Sequence, residues 1–246
     1  MSVIAIFGPT GVGKTGVAIE LAELLRERGE DPVAISCDAL QIYEGLETLT
    51  GVATTEEQER LEHRLVSFVP VTEPFNVGDY MPLAHAEVDE ALAEGRRPIV
   101  VGGTGLYLRA ALAELSLVKA PPESEDSELW SPDTRHPTTI FGLDMDRDEL
   151  YRRIDARTEA IVAAGAKEEV LRAEALGPSR TARVALGFDE LLRGDVEAMK
   201  QRSRNYARRQ LTWMRKIPNL RWIDRTALSD TAVAIEVLAQ IAPHLR

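Results

Sequence analysis

Short apolar runs alternate with longer amphipathic stretches over most of the chain. Continuous runs of four or five apolar residues are typical of strands buried on both faces. Between these runs, apolar residues recur every three or four positions, as on one face of a helix. Val17, Leu21 and Leu24 form one such stripe, and Gly29 is expected to end that helix. The apolar runs predict six strands, at residues 3–7, 33–37, 65–69, 98–101, 139–143 and 220–223.

The order of these elements predicts the fold class. Strands that alternate with helices form a mostly parallel sheet, covered by helices on both faces. From Asp146 onward helical patterns dominate, and Asp146 with Glu149 has the spacing of a capping box. We expect an α/β core over residues 1–115, a short acidic, flexible linker over residues 116–139, and a helical C-terminal part over residues 140–246. The last strand of that part is expected to return to the core.

Composition limits the class of protein. The chain has 246 residues, of which 44% are hydrophobic, enough for one large core. No apolar run approaches the roughly 18 residues of a membrane span. The N-terminus enters a strand pattern directly, so no signal peptide is expected. The single cysteine, Cys37, excludes an internal disulfide framework and a cysteine-rich zinc site. We expect a cytoplasmic monomer without membrane contact.

The charge is unevenly distributed. The net charge is −11, which taken alone argues against binding to nucleic acid. Between Lys200 and Arg221, however, the chain has eight basic residues and no acidic one. Such a segment can bind RNA locally, or it can form an ordinary solvated helix face. The composition leaves both interpretations open.

The segment "GPTGVGKT" has a clear chemical meaning. It matches G-x-x-x-x-G-K-[S/T] in full, with a predicted strand before it and a predicted helix after it. Backbone amides in such a loop bind phosphate oxygens, and its lysine adds a positive charge. The motif predicts a ligand that contains pyrophosphate, with Thr15 as a candidate Mg²⁺ ligand. The predicted loop consists of Gly8, Pro9, Thr10, Gly11, Val12, Gly13, Lys14 and Thr15.

Further candidates lie at other element ends. "VAISCD" is a predicted strand that ends in an acid, Asp38, whereas "PIVV" runs into glycines and Thr104. At a strand end Asp38 can act as a general base or Mg²⁺ ligand, or cap the following turn. Thr104 is either a helix N-cap alone or also a substrate contact. Arg153 and Arg157, one helical turn apart, can grip a pyrophosphate or form a surface pair.

Seven segments, in order, resemble the tRNA dimethylallyltransferases, also called tRNA isopentenyltransferases. They cover about residues 2–115 and 140–224. The chain departs from the family pattern where members usually carry a helical insertion, which the acidic linker replaces. The matching segments are "FGPTGVGKT", "SCDALQIYEGLETLTG", "EHRLVSFVPVTEPFNVGDY", "VGGTGLYLRAAL", "LYRRIDARTEAIVAAGAKEEV", "ALGFDELL" and "RNYARRQLTWMRK".

The resemblance implies a P-loop NTPase-like three-layer fold and a specific reaction. The family transfers a dimethylallyl group from its diphosphate to N6 of the adenosine 3′ to the tRNA anticodon, with Mg²⁺. By this resemblance Asp38 accepts a proton from the amine, Thr104 orients the diphosphate, and Arg157 with Arg153 binds the leaving group. The positions expected to contact the tRNA anticodon stem-loop are Asp38, Ala39, Leu40, Gln41, Arg208, Arg209, Gln210, Thr212, Trp213 and Arg215.

Three alternatives stay open at this point. The same chemistry can act on free AMP, ADP or ATP, as in cytokinin-forming relatives, and the missing insertion favours this. The basic segment argues against it, because a free nucleotide needs no basic helix. A small-molecule kinase can use the same loop, and so can a nucleotide-binding module without catalysis.

Overall fold

A six-stranded, wholly parallel sheet forms the centre of the computed structural model, which describes residues 1–116 and 128–241. All five residues of the first strand are buried, and this strand pairs with a neighbour on each side. The strands are β1 (Val3–Phe7), β2 (Pro32–Ser36), β3 (His63–Arg64), β4 (Arg97–Gly102), β5 (Thr138–Asp144) and β6 (Arg221–Asp224).

The sheet has the order β3-β2-β4-β1-β5-β6. Because all pairs are parallel, the carboxyl ends of the strands meet at one edge. The register aligns Phe7 of β1 with Gly102 of β4, and Ser36 of β2 with Val101 of β4. The loops that follow β1, β2 and β4 therefore start side by side.

Five of the six predicted strands are confirmed, and the strand predicted at residues 65–69 is wrong. Only His63 and Arg64 pair with β2, and beyond them Val69 makes an isolated bridge to Tyr43. Leu65 and Ser67 have φ angles of 59° and 47°, in the left-handed region that a strand cannot contain. Only Val69 of this run is buried, and Leu65 and Phe68 are partly buried against two different apolar clusters.

Helices cover both faces of the sheet, so the predicted α/β fold class is confirmed. One face is buried under the first and last helices, where Val17 and Val233 pack with Ile4. The other face is buried under two central helices, where Tyr80 and Leu108 pack with the sheet. The helices are α1 (Lys14–Arg26), α2 (Glu47–Thr50), α3 (Thr55–Arg60), α4 (Val77–Ala93), α5 (Gly105–Leu112), α6 (Arg147–Ala163), α7 (Ala166–Leu176), α8 (Arg180–Arg183), α9 (Phe188–Arg193), α10 (Val196–Met214) and α11 (Asp230–Ile241).

A third apolar cluster lies beside the carboxyl ends of the strands. Helices α2, α7 and α9 bury Leu49, Val170 and Phe188 together, and Met199 of α10 joins them. The Tyr43 hydroxyl donates to the hydroxyl of Thr181 at 2.7 Å across this cluster. The cluster forms one wall of the cavity described below. None of the described helices is long and apolar enough to cross a lipid bilayer.

The helical part begins as expected, except for one detail of its first cap. Asp146 caps α6, because its carboxylate accepts from the amides of Asp148 and Glu149. The reciprocal half of the predicted capping box is wrong. The Glu149 carboxylate bonds instead to Arg153 at 2.8 Å, because a guanidinium four residues later is a stronger partner than a backbone amide.

The acidic linker is described in part. Residues 117–127 lie outside the described residues, and with them nearly half of the predicted flexible loop. The following turn is packed, which contradicts the loop prediction there: Trp130 stacks on Trp213 with ring centroids 4.9 Å apart. The fully buried Arg109 donates to the carbonyls of Leu129 and Asp133 and so holds this turn against α5. The division into three parts stays a prediction, and the sheet takes strands from both sides of the linker.

Close packing at Gly105 gives a test of this arrangement. A β-carbon on Gly105 would overlap the indole ring of Trp213. Alanine is the better helix former, by about 1 kcal/mol, yet overpacking of this kind costs about 1–3 kcal/mol. We expect Gly105→Ala to lower the free energy of unfolding, measured by urea denaturation. In a Trp213→Leu background the same substitution should be neutral or stabilising, and an equal cost in both backgrounds would contradict this packing.

Candidate active site

A cavity of about 420 Å³ opens at the carboxyl edge of the sheet. The loops after β1, β2 and β4 all contribute to its lining, together with α6 and α10. Lys14, Asp38 and Arg157 lie around it, with Glu57 and Asp230 at its margin. The structure therefore brings three separately predicted segments into one site.

The loop of residues 8–15 connects β1 to α1. Gly13 has a φ of 87° and precedes α1 without a side-chain cap, so the first amides of α1 have no intrahelical acceptor. These amides, at the positive end of the helix dipole, are suited to phosphate oxygens. The Val12 side chain points into the core, so its predicted part in binding is limited to its backbone. Thr15 lies in the first turn and lines the cavity.

Lys14 is held over this loop. Its ammonium group donates to the carbonyl of Pro9 at 3.0 Å. Burial lowers the pKa of Lys14 to about 8, although the charge of Asp38 acts in the opposite direction. A diphosphate in the cavity would replace the lost hydration and stabilise the charged form. The lysine is thus arranged for an anion that is not part of the protein.

Asp38 lines the cavity directly after β2. One of its carboxylate oxygens accepts from the amide of Leu40 at 3.0 Å, which closes a turn. Asp38 therefore caps the following turn, as one of the alternatives predicted, although no helix starts there, because α2 begins only at Glu47. The turn leaves the carboxylate in the cavity, where its charge offsets part of the lowering of the Lys14 pKa by burial and adds to the raising of the Tyr206 pKa by burial.

Thr104 stands at the N-cap position of α5, but its side chain makes no capping hydrogen bond. The interpretation as a cap alone is therefore wrong. Its hydroxyl accepts from the amide of Ala39 at 3.3 Å and lies 3.4 Å from the hydroxyl of Tyr206. Burial, with a smaller effect of Asp38, raises the pKa of Tyr206 to about 12, so it remains a neutral donor. Thr104 thus joins the loops after β2 and β4.

The two arginines of α6 are separated in the structure. Arg157 lines the cavity and donates to the carbonyl of Thr50 at 3.2 Å, at the C-terminal end of α2. Removal from bulk water lowers the pKa of Arg157. Arg153 is not in the cavity lining and pairs with Glu149 at 2.8 Å. The structure therefore does not bring the predicted arginine pair together, because Glu149 holds one member outside.

Two glutamines expected to touch RNA serve internal contacts. Gln210 is only 4% exposed. It accepts from the amide of Thr10 and donates to the carbonyl of Gly103, each at 2.8 Å. Gln41 donates to the carbonyl of Gly51 at 2.8 Å and, with Leu40, lines the cavity. The residues next to them in the sequence had suggested that both glutamines lie on an RNA-binding surface, whereas their side chains point inward.

The basic segment divides into two halves. Lys200, Arg202 and Arg204 each pair with an acid from another helix or the preceding turn, including Glu190 and Asp155. Farther along α10 lies a surface that we call the basic end, consisting of Arg208, Arg209, Thr212 and Arg215. These four are exposed, and the three arginines have no carboxylate partner among residues 1–116 and 128–241.

The same helix carries two aromatic side chains next to the basic end. Arg209 lies over the ring of Tyr206, with its guanidinium carbon 5.5 Å from the centroid. Trp213 is half-buried between Gly105 and Trp130, and Lys216 lies 5.3 Å from the Trp130 centroid. Trp213 therefore mainly packs against Gly105 and Trp130, and only part of its ring is accessible to solvent.

The cavity also has an apolar wall. Ile154 and Ile161 of α6 contribute to it, together with Leu49 of α2 and Met199 of α10. Leu186 lies in the turn before α9 and completes this wall. A site for a nucleotide alone would not require so many aliphatic side chains opposite two cations. The wall fits a ligand with one charged end and one aliphatic end.

Arg225 does not line the cavity but supports the phosphate loop from behind, and sequence reasoning missed it. It directly follows β6, is only 2% exposed, and donates to the carbonyl of Gly13 at 3.3 Å. Its guanidinium pairs with Asp230 at 2.8 Å, and its Nε atom has no partner. A β-carbon on Gly13 would be 2.5 Å from the Arg225 guanidinium. The signal available in the sequence was its position at the carboxyl end of a predicted strand.

The described residues contain no cluster of three or more histidine, cysteine or acidic side chains that could hold a metal. Mg²⁺ does not need one, because it commonly keeps several waters and binds through one or two protein ligands plus substrate phosphates. The hydroxyl of Thr15, at the end of the phosphate loop, fits this mode. Metal binding here would accordingly depend on a phosphate ligand.

Comparison with known proteins identifies relatives along almost the whole chain. A sequence profile of the IPP transferase family matches residues 41–135 and 123–217. The tRNA dimethylallyltransferase of Geobacillus kaustophilus is 31% identical, over 97% of this chain and 95% of that protein. The protein of the same name from Salinispora arenicola is 30% identical, over 98% of this chain and 87% of its own.

A solved structure agrees with these sequence relatives. The crystal structure of the full-length tRNA isopentenylpyrophosphate transferase from Bacillus halodurans has a TM-score of 0.84 at 28% identity, covering 98% of this chain and 96% of its own. The alignments to both sequence relatives run over 304 positions, more than this chain has residues. The relatives therefore contain segments that have no counterpart here.

Arg225 provides a test of how the phosphate loop is held. We expect Arg225→Met to weaken binding of inorganic pyrophosphate about tenfold, because the Gly13 carbonyl loses its donor and the loop loses a nearby positive charge. Arg225→Lys should retain part of the affinity, since it keeps the charge without the forked donors. Isothermal titration calorimetry measures both. Unchanged affinity in the methionine variant, with normal thermal unfolding, would show that Arg225 does not shape the loop.

Proposed function

Because this chain belongs to the IPP transferase family, we propose that it transfers a dimethylallyl group from dimethylallyl diphosphate to N6 of the adenosine that follows the tRNA anticodon. Its activity is prenyl transfer to tRNA, the activity that its relatives' names state. One observation supports the assignment of the site. A single cavity joins a phosphate loop and an apolar wall to Asp38, beside a helix with a basic, exposed end.

The donor occupies the cavity with its diphosphate on the loop. The amides at the start of α1 and the ammonium group of Lys14 bind the phosphate oxygens. Arg157 contacts the leaving group from α6, and the aliphatic wall takes the five-carbon chain. As the carbon–oxygen bond breaks, negative charge grows on the diphosphate, where each positioned donor contributes about 3–4 kcal/mol of stabilisation.

Asp38 acts on the acceptor. The exocyclic amine of adenine is a weak nucleophile, because its lone pair is delocalised into the ring. A bond forms between N6 and the allylic carbon, the bond from that carbon to the diphosphate breaks, and one N6 proton passes to the Asp38 carboxylate. Thr104, which lies between Ala39 and Tyr206, orients the diphosphate beside this carboxylate. The N6 proton thus ends on Asp38, and the electron pair of the broken carbon–oxygen bond leaves with the diphosphate.

Mg²⁺ is the proposed cofactor. Thr15 would hold it together with oxygens of the diphosphate. When bound, the ion neutralises part of the charge on the leaving group. Lys14 and Arg157 supply the remaining positive charge from the protein itself.

The tRNA approaches along the basic end of α10. An adenosine in the anticodon loop can leave its stack at a cost of a few kcal/mol and enter the cavity. Arg208, Arg209 and Arg215 are free to contact phosphates, while Trp213 and Tyr206 keep the helix packed against the site. We propose the anticodon stem-loop as the part of the tRNA that is recognised, and a monomer as the active form.

One assay separates the possible acceptors. The purified chain is incubated with labelled dimethylallyl diphosphate and Mg²⁺, in parallel with unmodified tRNA and with AMP. Label on tRNA, lost when the target adenosine is replaced by guanosine, is the expected result. Label on AMP alone would overturn the tRNA assignment in favour of a free nucleotide. Phosphate transfer from ATP without prenyl transfer would indicate a kinase.

Asp38 gives the first prediction of this mechanism. Asp38→Ala and the isosteric Asp38→Asn should each lower the turnover number by a factor of at least about 10². Binding of pyrophosphate should change little, because neither variant alters the phosphate loop. Asp31→Ala is the matched control, since this exposed acid lies before the start of β2, at the opposite end of that strand. Near-normal turnover in Asp38→Asn would remove this carboxylate as the base.

The basic end gives the second prediction. Replacing Arg208, Arg209 and Arg215 together by glutamine should weaken binding of an anticodon stem-loop RNA by about tenfold or more at physiological salt. The slope of log affinity against log salt should become shallower by about 2, because each lost phosphate contact removes about 0.7–0.9. Fluorescence anisotropy across a salt series measures both quantities.

The control for this prediction is Arg28→Gln. This exposed arginine follows α1, a helix of 13 residues that runs about 20 Å away from the cavity. It should leave both the RNA affinity and the salt slope unchanged. Equal effects of the control and the triple variant would mean that general charge, rather than the basic end, binds the RNA.

A further inference from the structure

The side chain of Gln210 connects parts of the site that are far apart in sequence. Its amide lies between Thr10 in the phosphate loop and Gly103 in the loop after β4, with both hydrogen bonds at 2.8 Å. Such distances are those of well-formed hydrogen bonds. Gly103 permits this approach, because a β-carbon there would overlap the Gln210 amide nitrogen.

Gln210 differs in polarity from the other residues on the inward face of α10. The buried positions of this helix are Met199, Ser203, Ala207, Gln210 and Met214. Gln210 is the only long polar side chain among them, and both ends of its amide are satisfied by backbone groups. A buried amide of this kind is costly unless both partners stay in place, so it specifies one relative position of the helix and the two loops.

The contacts continue from Gly103 to the chemistry. The next residue, Thr104, accepts from the amide of Ala39, which follows Asp38. One side chain therefore joins, directly or through one further contact, the loops after β1, β4 and β2. These loops carry the phosphate-binding amides, the Thr104 hydroxyl and the Asp38 carboxylate.

The outward face of the same helical turn carries the basic end. Arg208 and Arg209 precede Gln210, Thr212 follows it, and all three are exposed. Resting on the proposed function, we infer that Gln210 couples RNA docking on α10 to the shape of the diphosphate cradle. Gln210 also lines the cavity, but its amide is taken up by Thr10 and Gly103, so it is a positioning residue that acts through these two partners.

The coupling follows from two arrangements of one helix. With α10 seated, Gln210 occupies the Thr10 amide and fixes the loop in the form that binds diphosphate. With α10 displaced, the Thr10 amide and the Gly103 carbonyl bind water instead, and the phosphate loop loses its hydrogen bond to Gln210. RNA that binds the seated helix favours the first arrangement, so it raises the affinity for diphosphate. Diphosphate must raise the affinity for RNA by the same factor.

The experiment measures pyrophosphate binding in the presence of Mg²⁺, with and without a saturating anticodon stem-loop RNA. In the unmodified chain we expect RNA to tighten pyrophosphate binding about tenfold, which is within the range typical of coupled sites. Gln210→Leu, similar in size but without hydrogen bonds, should reduce this factor to about 1. It should still bind RNA, because the basic end is intact.

Two further variants keep the test decisive if the leucine variant folds poorly. Gln210→Asn keeps an amide but is shorter by one methylene, so it can reach only one of the two partners and should lose most of the coupling. Gln201→Leu changes an exposed glutamine on the same helix and should keep the tenfold factor. Coupling retained in both Gln210 variants would overturn the inference, and so would an unmodified chain in which RNA leaves pyrophosphate affinity unchanged.

These outcomes differ from those that test the function itself. Prenyl transfer to tRNA without coupled binding would contradict the role of Gln210 alone. Coupled binding of RNA and pyrophosphate without prenyl transfer would contradict the proposed reaction and leave the role of Gln210 supported. Measuring RNA affinity with and without pyrophosphate closes the thermodynamic cycle, and unequal factors would contradict a direct coupling.

Discussion

The parallel pairing of β1 with β4, and of β4 with β2, is the constraint on which the site depends. A parallel register brings carboxyl ends to one edge, and here it aligns Phe7 with Gly102 and Ser36 with Val101. The three loops that follow these strands, which differ in the chemical groups they carry, then begin side by side. The phosphate loop supplies amides, the turn after β2 supplies a carboxylate, and the turn after β4 supplies a hydroxyl. No single loop supplies all three kinds of group, and the site exists because the sheet places the three loops next to one another.

The charges in that site are arranged for a ligand rather than for the stability of the protein. Lys14 is buried enough for its pKa to fall to about 8, and Arg157 is held in the cavity by the Thr50 carbonyl. Asp38 is the one carboxylate close enough to oppose both cations. A diphosphate would place its negative charge beside both cations, and its departure after transfer would return the site to this state.

The basic segment shows how the tertiary structure distributes charge. The first half of its cations is paired with acids from neighbouring helices, so these residues stabilise the packing of α10. Within residues 1–116 and 128–241, the arginines of the basic end have no carboxylate partner, and they are exposed on the same helix. The first half is therefore a structural helix face, and the basic end is the proposed RNA surface. Gln210 lies in the same helical turn as the basic end, but its side chain is on the inner face of the helix, toward the cavity.

The sequence by itself determined the fold class, five of the six strands, the phosphate loop and the candidate base Asp38, because these depend on local patterns and on the rule that parallel strands present their carboxyl ends together. The false strand at residues 65–69 failed because two left-handed residues, invisible in a hydrophobicity pattern, break the run. Only the tertiary structure decided that Arg157 enters the cavity while Arg153 does not, since a competing carboxylate selects between them. It also turned Gln210 inward and brought Arg225 behind Gly13. Such contacts join residues 107 to 212 positions apart, and no local pattern encodes which distant backbone group a buried side chain will find.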